Sequence, residues 1–272
     1  MRVAHSWMIA ISAIALSTAV NAADVAVLDA TSGSNSVVSN LNTAGHSATI
    51  VTQAEVTGGG LAIYDVFIMG RNWCCDNHDV AYRDAVVSFV NSGGGLLTEW
   101  DDFAFLFDGY DATFRYSDTL PQGEFISGDV GGGQYFGQTI TLDKAMDHPI
   151  WGNLPDNASI SGIEFPYTSY NSNLSNWDVI ATFTGDGTVN FPAQAFPILI
   201  ASQTMPIVGM GFDWGDAANN ADVVGLYVRA VDYLDGFVGF AVATEPVPAI
   251  SPISMIILAG LLLLLVRRRL TT

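Results

Sequence analysis

Basic residues are scarce in this 272-residue chain. Four of the nine Lys and Arg stand at the ends, at Arg2 and at Arg267, Arg268 and Arg269, whereas all 27 acids lie between Asp24 and Glu245. Five bases against 27 acids give this central region a formal charge of −22. Such a surface repels phosphates, which argues against nucleic acid as a partner. It suits a divalent cation, a basic partner, a salty medium or plain solubility outside the cell.

Cysteine is almost absent, and the two that occur are the neighbours Cys74 and Cys75. Adjacent Cα atoms are about 3.8 Å apart, which is below the range of about 4.4 to 6.8 Å found in disulfides. An ordinary structural disulfide is therefore excluded. Two thiols cannot fill a zinc site alone, and the nearby ligands are Asp76, His78 and Asp79. Metal or redox chemistry and a buried or loop thiol pair both stay open.

The first apolar run, from Trp7 to Leu16, is too short to cross a membrane comfortably. It follows Met1 and Arg2 and is followed by small residues that end at Ala22. This three-part layout predicts a secretory signal peptide over residues 1–22, cut after Ala22 by signal peptidase. An uncleaved anchor is the alternative.

A second apolar run covers residues 253–266 and is directly followed by Arg267, Arg268 and Arg269. Its 14 residues, or 18 counted from Ala249, fall short of the roughly 20 needed to span a bilayer. The arginines favour a cytoplasmic end and leave the body of the chain outside. We therefore predict a transmembrane helix over 253–266, after a Pro-containing linker over 241–252 and before a basic tail over 267–272.

The linker contains Pro246 and Pro248. Together with the apolar helix and the arginines, it resembles the C-terminal sorting signals of Gram-negative bacteria, of the PEP-CTERM type and its relatives. The segment Val247-Pro-Ala-Ile-Ser lacks Pro-Glu-Pro and is closer to the Ile-Pro-Thr-Leu-Ser variant. The resemblance implies export to the cell envelope or surface and processing by an exosortase-like membrane protease. A plain membrane tail that is never cleaved is the alternative.

Residues 23–240 are enough for one domain with a substantial core. The apolar patterns predict strands over 24–30, 47–52, 64–70 and 95–100, with helices over 34–44 and 79–91 between them. Strands that alternate with helices predict a parallel sheet covered on both faces. The region 101–177 is less regular and is predicted to be an insertion beside the sheet. Further strands over 178–184, 197–201 and 206–212 precede an amphipathic helix over 221–234.

Three segments carry a second resemblance. They are Ala85-Val-Val-Ser-Phe-Val-Asn-Ser-Gly-Gly-Gly-Leu-Leu, Asp147-His-Pro-Ile-Trp-Gly-Asn-Leu-Pro and Pro206-Ile-Val-Gly-Met-Gly-Phe-Asp-Trp-Gly. Together they resemble the class I glutamine amidotransferase-like fold, and within it the ThuA-like branch. The resemblance implies an α/β domain, a flavodoxin-like three-layer sandwich with a mostly parallel sheet.

Amidotransferases of this fold place a cysteine on a strand-to-helix turn, with a histidine and a carboxylate as partners. At the matching strand end this chain has Thr98-Glu99-Trp100-Asp101-Asp102, with no cysteine, serine or histidine. The family's nucleophile therefore does not carry over, which favours a domain without catalytic activity. The rival hypothesis is a hydrolase or carbohydrate-active enzyme that uses Cys74 or Cys75 with His78, the ring oriented by Glu99 or Asp101.

His148 and His46 are weaker candidates for a functional role than His78. His148 is a weak catalytic candidate, and its alternative role is a hydrogen bond to the backbone of the His-Pro-Ile turn. His46 follows a glycine that ends a helix and is expected on the surface.

Acidic and aromatic residues cluster after two of the predicted strands. Parallel sheets bind ligands at the carboxyl ends of their strands, and several carboxylates together can coordinate calcium. We predict a ligand site there, with calcium possible at Asp101, Asp102 and Asp213 and no other cofactor indicated. The predicted ligand-binding residues are Trp100, Asp101, Asp102, Asp213, Trp214 and Asp216.

Two interpretations of this acidic and aromatic cluster remain open. A polysaccharide or other envelope component is a possible partner, since aromatic rings beside carboxylates also line sugar-binding clefts. Alternatively the tryptophans cover the sheet edge and the acids solvate loops, in a purely structural surface or matrix protein.

Overall fold

A computed structural model describes residues 22–29, 31, 33–70, 80–99, 138–163, 174, 176–184, 195–212, 214–215 and 217–242. These residues build one nine-stranded sheet with the strand order β2-β1-β3-β4-β9-β8-β7-β5-β6. The strands are β1 Asp24–Leu28, β2 Ser47–Val51, β3 Val66–Met69, β4 Gly95–Glu99, β5 Gln138–Lys144, β6 Asn157–Ile163, β7 Trp177–Thr184, β8 Ala195–Ser202 and β9 Ile207–Met210.

One half of the sheet is parallel. β2, β1, β3, β4 and β9 pair side by side in the same direction. Strands β3, β4 and β9 are buried along their whole length, because helices cover both of their faces. This half confirms the predicted alternation of strands and helices.

Four α-helices are described: α1 Ser34–Ala44, α2 Gln53–Thr57, α3 Val80–Asn91 and α4 Ala221–Val242. One core lies between the sheet and the apolar faces of α1 and α4. A second core lies on the opposite face, under α2 and α3. The three-layer arrangement expected from the sequence is therefore present.

The helix bounds follow from local chemistry. α1 ends at Gly45, whose φ of 107° is accessible to glycine at little cost, and the structure confirms the predicted bounds of 34–44. The short α2 was missed; it begins with a capping box, in which the Thr52 side chain accepts from the Glu55 backbone and the Glu55 side chain accepts from the Thr52 backbone.

The other half of the sheet corrects the prediction. β8 runs antiparallel to β9, and β7, β5 and β6 continue the antiparallel pairing to the edge. The sheet is thus mixed, with four parallel and four antiparallel pairings among the described strands, rather than mostly parallel. Residues 138–144 and 157–163, predicted to lie in an insertion beside the sheet, are strands within it.

Within the residues that the structure describes, no helix is long and apolar enough to cross a membrane. The predicted signal peptide over 1–22, apart from Ala22, lies outside the described residues, as do the predicted transmembrane helix and basic tail. Of the predicted linker over 241–252, the structure describes residues 241 and 242 alone, and they are helical. Helix α4 continues to Val242, eight residues past its predicted end at Leu234.

Candidate functional site

The carboxyl ends of β4 and β9 lie next to each other. Glu99, the last residue of β4, is in register with Met210, the last residue of β9. The segments that carry the predicted ligand acids leave the sheet at these two ends. Asp101, Asp102, Asp213 and Asp216 themselves lie outside the described residues, as does Trp100.

Glu99 ends β4, the strand end that the sequence resemblance matches with the amidotransferase cysteine. Its side chain is fully buried, and its Oε1 accepts a short hydrogen bond from the backbone N–H of Gly215. Gly215 follows β9, so this bond joins the loop after β9 to the end of β4. One oxygen of the Glu99 carboxylate therefore serves as the acceptor for the Gly215 backbone N–H.

Trp214 lies beside this bond. It is fully buried, its Nε1 donates to the Thr98 carbonyl at 3.3 Å, and its ring packs against Tyr227 of α4 with centroids 5.0 Å apart. The indole therefore belongs to the core between sheet and helix. Its contact with a ligand stays a prediction.

The loop after β1 closes tightly over the same edge. Gly33 has φ 62°, and a Cβ there would lie 2.5 Å from the Gly215 carbonyl oxygen. At the end of β3, a Cβ on Gly70 would lie 1.9 Å from Thr31 Oγ1. These close approaches are possible because glycine is present at both crossings.

The rival catalytic set is only partly placed. Cys74, Cys75 and His78 lie outside the described residues, in the segment between β3 and α3. β3 and β4 are adjacent and parallel, so this segment starts one strand away from Glu99. Among the described residues, no group of three or more His, Cys, Asp or Glu is arranged to hold a metal ion.

His148 belongs to a different place, the turn after β5. β5 runs antiparallel to β9, so this turn lies toward the amino ends of the parallel strands, away from Glu99. His148 Nδ1 accepts the Ile150 backbone N–H at 3.2 Å, and the ring packs on Tyr233 at 4.8 Å. Burial lowers the pKa of His148, and the charge of Asp178 opposes that shift. The hydrogen bond to the turn is the structural role that the sequence suggested as the alternative to catalysis.

Arg229 of α4 fixes the same turn from the other side. Its Nε donates to the Ile150 carbonyl at 2.7 Å and its Nη2 to the Trp151 carbonyl at 3.1 Å. A Cβ at Gly152 would lie 2.7 Å from Arg229 Nε, so the absence of a side chain at Gly152 leaves room for the Arg229 guanidinium. These two hydrogen bonds could not be predicted from the sequence, because Arg229 lies nearly eighty positions away from the turn.

An open cavity of about 380 Å³ lies beside the turn. Its lining includes Lys144, Asp147, His148 and Asn153. Lys144 Nζ lies 2.5 Å from Asp147 Oδ1 and 3.5 Å from Asp156 Oδ1. The hydrogen bond with Asp147 raises the pKa of Lys144 and lowers that of Asp147. Both partner carboxylates are largely exposed, so this network is a solvated surface feature.

His46 corrects a prediction, because it is buried instead of exposed. Its Nδ1 accepts the backbone N–H of Ala23 at 3.4 Å, and its Nε2 lies 3.4 Å from Asp232 Oδ1. The start of β1 and helix α4 thus contact the ring from two sides. Both are remote in sequence, so the glycine before His46 gave no sign of this environment.

The fold is similar to those of solved structures. A ThuA-like protein from Bacteroides uniformis matches with a TM-score of 0.54 and 18% identity, over 78% of this chain and 90% of that chain. A ThuA-like protein from Parabacteroides merdae (TM-score 0.49, 14% identity, 70% and 79% of the two chains) and a GMP synthase protein from Thermoplasma acidophilum (0.47, 12%, 82% and 96%) are also similar. No protein-family model and no curated protein matches the chain.

The likeness to the Bacteroides uniformis protein confirms the predicted ThuA-like, class I amidotransferase-like fold. At this level of identity it bears on the fold alone.

Proposed function

We propose that the chain is an exported protein, anchored in the membrane or sorted to the surface, whose amidotransferase-like domain binds a ligand and does not hydrolyse glutamine. The proposal that the domain does not hydrolyse glutamine rests on the environment of Glu99. Glu99, at the strand end that the resemblance matches with the nucleophile, is fully buried, and its carboxylate accepts the Gly215 N–H. This carboxylate therefore has a structural role, because it links the end of β4 to the loop after β9.

The neighbouring strand ends support a binding role. β4 leads into Trp100, Asp101 and Asp102, and β9 leads into Asp213 and Asp216. Since β4 and β9 are adjacent and parallel, their carboxyl ends lie at the same edge of the sheet, and in the sequence these acids follow the two strands within a few residues. Carboxylate oxygens from two loops are the ligands that calcium prefers, and an excess of negative charge raises the local cation concentration.

Calcium binding is tested on the full chain purified from membranes. Calcium should raise the melting temperature, because a ligand that binds only the folded state stabilises it, by about 2.7 kcal/mol at a hundred times its Kd. D101N and D213N should abolish this shift, whereas D222N, which alters an acid at the start of α4, should leave it intact. An equal shift with magnesium at the same ionic strength would point to charge screening and remove the calcium proposal.

Export and catalysis have separate tests. The mass of the protein from envelope fractions reports both ends, and recovery of the intact chain from the cell interior would contradict export. Ammonia release from glutamine should stay at the level of a buffer control, with a working amidotransferase as the positive control. Measurable release would contradict the loss of the nucleophile.

The hydrolase alternative keeps one specific support, the adjacency of β3 and β4, which brings the start of the segment with Cys74, Cys75 and His78 next to Glu99. Alkylation of the thiols followed by a screen of ester and glycosidic substrates separates the two functions. An activity that alkylation removes would favour the enzyme, and calcium-dependent stabilisation that survives alkylation would favour the binding protein.

A further inference from the structure

Strand β1 begins at Asp24, the second residue after the predicted cleavage position. Ala22 is outside the first strand, whereas Ala23 is fully buried directly before β1. The backbone nitrogen of Ala23 donates to His46 Nδ1 at 3.4 Å. A cut after Ala22 would free this nitrogen as the α-amine of the mature chain.

His46 is arranged to accept from that nitrogen. Its side chain is 3% exposed, and its two ring nitrogens have different partners: Nδ1 faces the Ala23 N–H, and Nε2 lies 3.4 Å from Asp232 Oδ1. A carboxylate at Nε2 selects the tautomer that carries its proton there, which leaves the Nδ1 lone pair free to accept. An ammonium group at Ala23 can therefore make the same hydrogen bond as the amide.

Three carboxylates interact with His46 or with the residue after Ala23. Asp65 Oδ2 accepts the backbone N–H of Asp24 at 2.9 Å, one residue from Ala23, and Asp232 and Asp235 lie one turn apart on α4. The pKa of Asp235 is raised, first by burial and then by the charge of Asp65; His46 opposes this shift, and Asp232 adds a smaller contribution to it. Within the described part of the chain, no Lys or Arg nitrogen lies within ion-pair distance of these three acids, and Arg229 and Asp232 interact electrostatically over a longer distance. The site has an excess of negative charge that a cation would relieve.

We propose that Ala23 is the first residue of the mature protein and that its α-ammonium is held in an N-terminal amine site made by His46, Asp65 and Asp232. The inference rests on the export proposed above. Signal peptidase would hydrolyse the Ala22–Ala23 amide, with water giving its OH to the Ala22 carboxyl and a proton to the Ala23 nitrogen. Because Ala23 is buried in the folded domain, the cut precedes folding, and the fold then closes over the new end.

The first experiment reads the N-terminal peptide of the protein from envelope fractions by mass spectrometry. The expected start is Ala23. A chain that still begins at Met1 would remove export and this inference together. A start at any other residue would overturn the amine site alone and leave the binding function intact.

The second experiment measures how fast acetic anhydride acetylates the α-amine of the processed full-length protein. The chain has a single lysine, Lys144, so the N-terminal peptide is easily told from the other amine-bearing peptide. Nearby carboxylates favour the charged amine, and each unit by which its pKa rises lowers the reactive fraction about tenfold. We expect the native protein to react at least about tenfold more slowly than the same protein in urea.

Charge variants show whether the carboxylates cause the protection. D65N keeps an oxygen that can accept the Asp24 N–H and removes only the charge, and D232N does the same beside His46. Each should speed acetylation in the native state, while D222N at the other end of α4 should not. Equal rates in native protein and in urea, or equal effects of D222N and D232N, would overturn the amine site while leaving Ala23 as the mature N-terminus.

Discussion

Glu99 joins the end of β4 to the loop after β9. Its carboxylate is fully buried and accepts the Gly215 N–H, so its removal leaves a buried amide without its acceptor. We expect E99A to lower the free energy of unfolding by about 1–3 kcal/mol for that amide, with a further loss for the cavity. E99Q keeps an acceptor oxygen and should cost less. Denaturant unfolding measures both variants; an E99A variant as stable as the native protein would contradict this role.

His148 makes a pH-dependent contribution to stability. Because burial lowers its pKa, the unfolded chain takes up a proton at a higher pH than the folded protein does. The histidine's contribution is thus fully present above its ordinary pKa of about 6.5 and declines as the pH falls through that value toward the lowered one. H148N retains an oxygen that can accept the Ile150 N–H but has no titrating ring.

The comparison of these two proteins isolates His148 from the many acids of the chain. The melting temperature of the native protein, relative to H148N, should fall between about pH 7 and pH 5. Parallel curves for the two proteins over this range would contradict the prediction.

Two histidines also mark the limit of sequence reasoning at this scale. The role of His148 was within reach because its partner, the Ile150 N–H, is two residues away, and a His-Pro turn brings such groups together. The burial of His46 was not within reach. Its partners Ala23 and Asp232 come from the start of the domain and from α4, and only the packed fold brings them to one ring.

At the scale of elements, Gly33 is the crossing point between the loops after β1 and β9. It has a left-handed φ of 62°, and a Cβ there would lie 2.5 Å from the Gly215 carbonyl oxygen. Gly45, after α1, also has a positive φ of 107° but has no atom within 4 Å of the added Cβ. The pair separates backbone strain from steric contact.

We expect G45A to lower the free energy of unfolding by about 1–2 kcal/mol through the left-handed conformation alone. G33A should lose about 1–3 kcal/mol more, since the crossing backbone must also move. Thermal or denaturant unfolding of the two variants checks the order. Equal losses of unfolding free energy in G33A and G45A would contradict this prediction, because they would mean that the loops after β1 and β9 can move apart without destabilising the protein.

Local patterns predicted the parallel half of the sheet because each of its elements carries its own signal. α1 has apolar residues at helical spacing and a glycine at its end, and the strands beside it are short apolar runs. β5 and β6 were missed although a signal exists. Ile140 and Leu142 are buried while Thr139 and Thr141 are exposed, a period of two that is typical of an antiparallel strand with one covered face.

At the scale of the whole molecule, the site could be predicted only as far as the order of the strands. In the structure β4 and β9 are adjacent and parallel, so their carboxyl ends lie side by side, as a ligand site formed after both strands requires. The depth of Trp214 could not be predicted. It depends on the packing of α4 against the sheet, where Tyr227 covers the indole. Burial of an aromatic ring beside a predicted site is set by such long-range contacts.

Charge acts on the molecule as a whole. Between Asp24 and Glu245 there are 27 acids and five bases, so the folded domain brings many like charges close together. Self-repulsion opposes the compact state and is weakened by salt, because the Debye length falls from about 30 Å at 0.01 M to about 3 Å at 1 M. We therefore expect the melting temperature to rise steadily as NaCl increases over that range. A neutral osmolyte does not screen charge and serves as the control for general exclusion from the surface. A melting temperature that does not change with NaCl, or that rises equally with the osmolyte, would contradict this prediction. It would show that the acids are too far apart to repel one another. Cations bound at specific sites would then be the remaining way in which ions stabilise this protein.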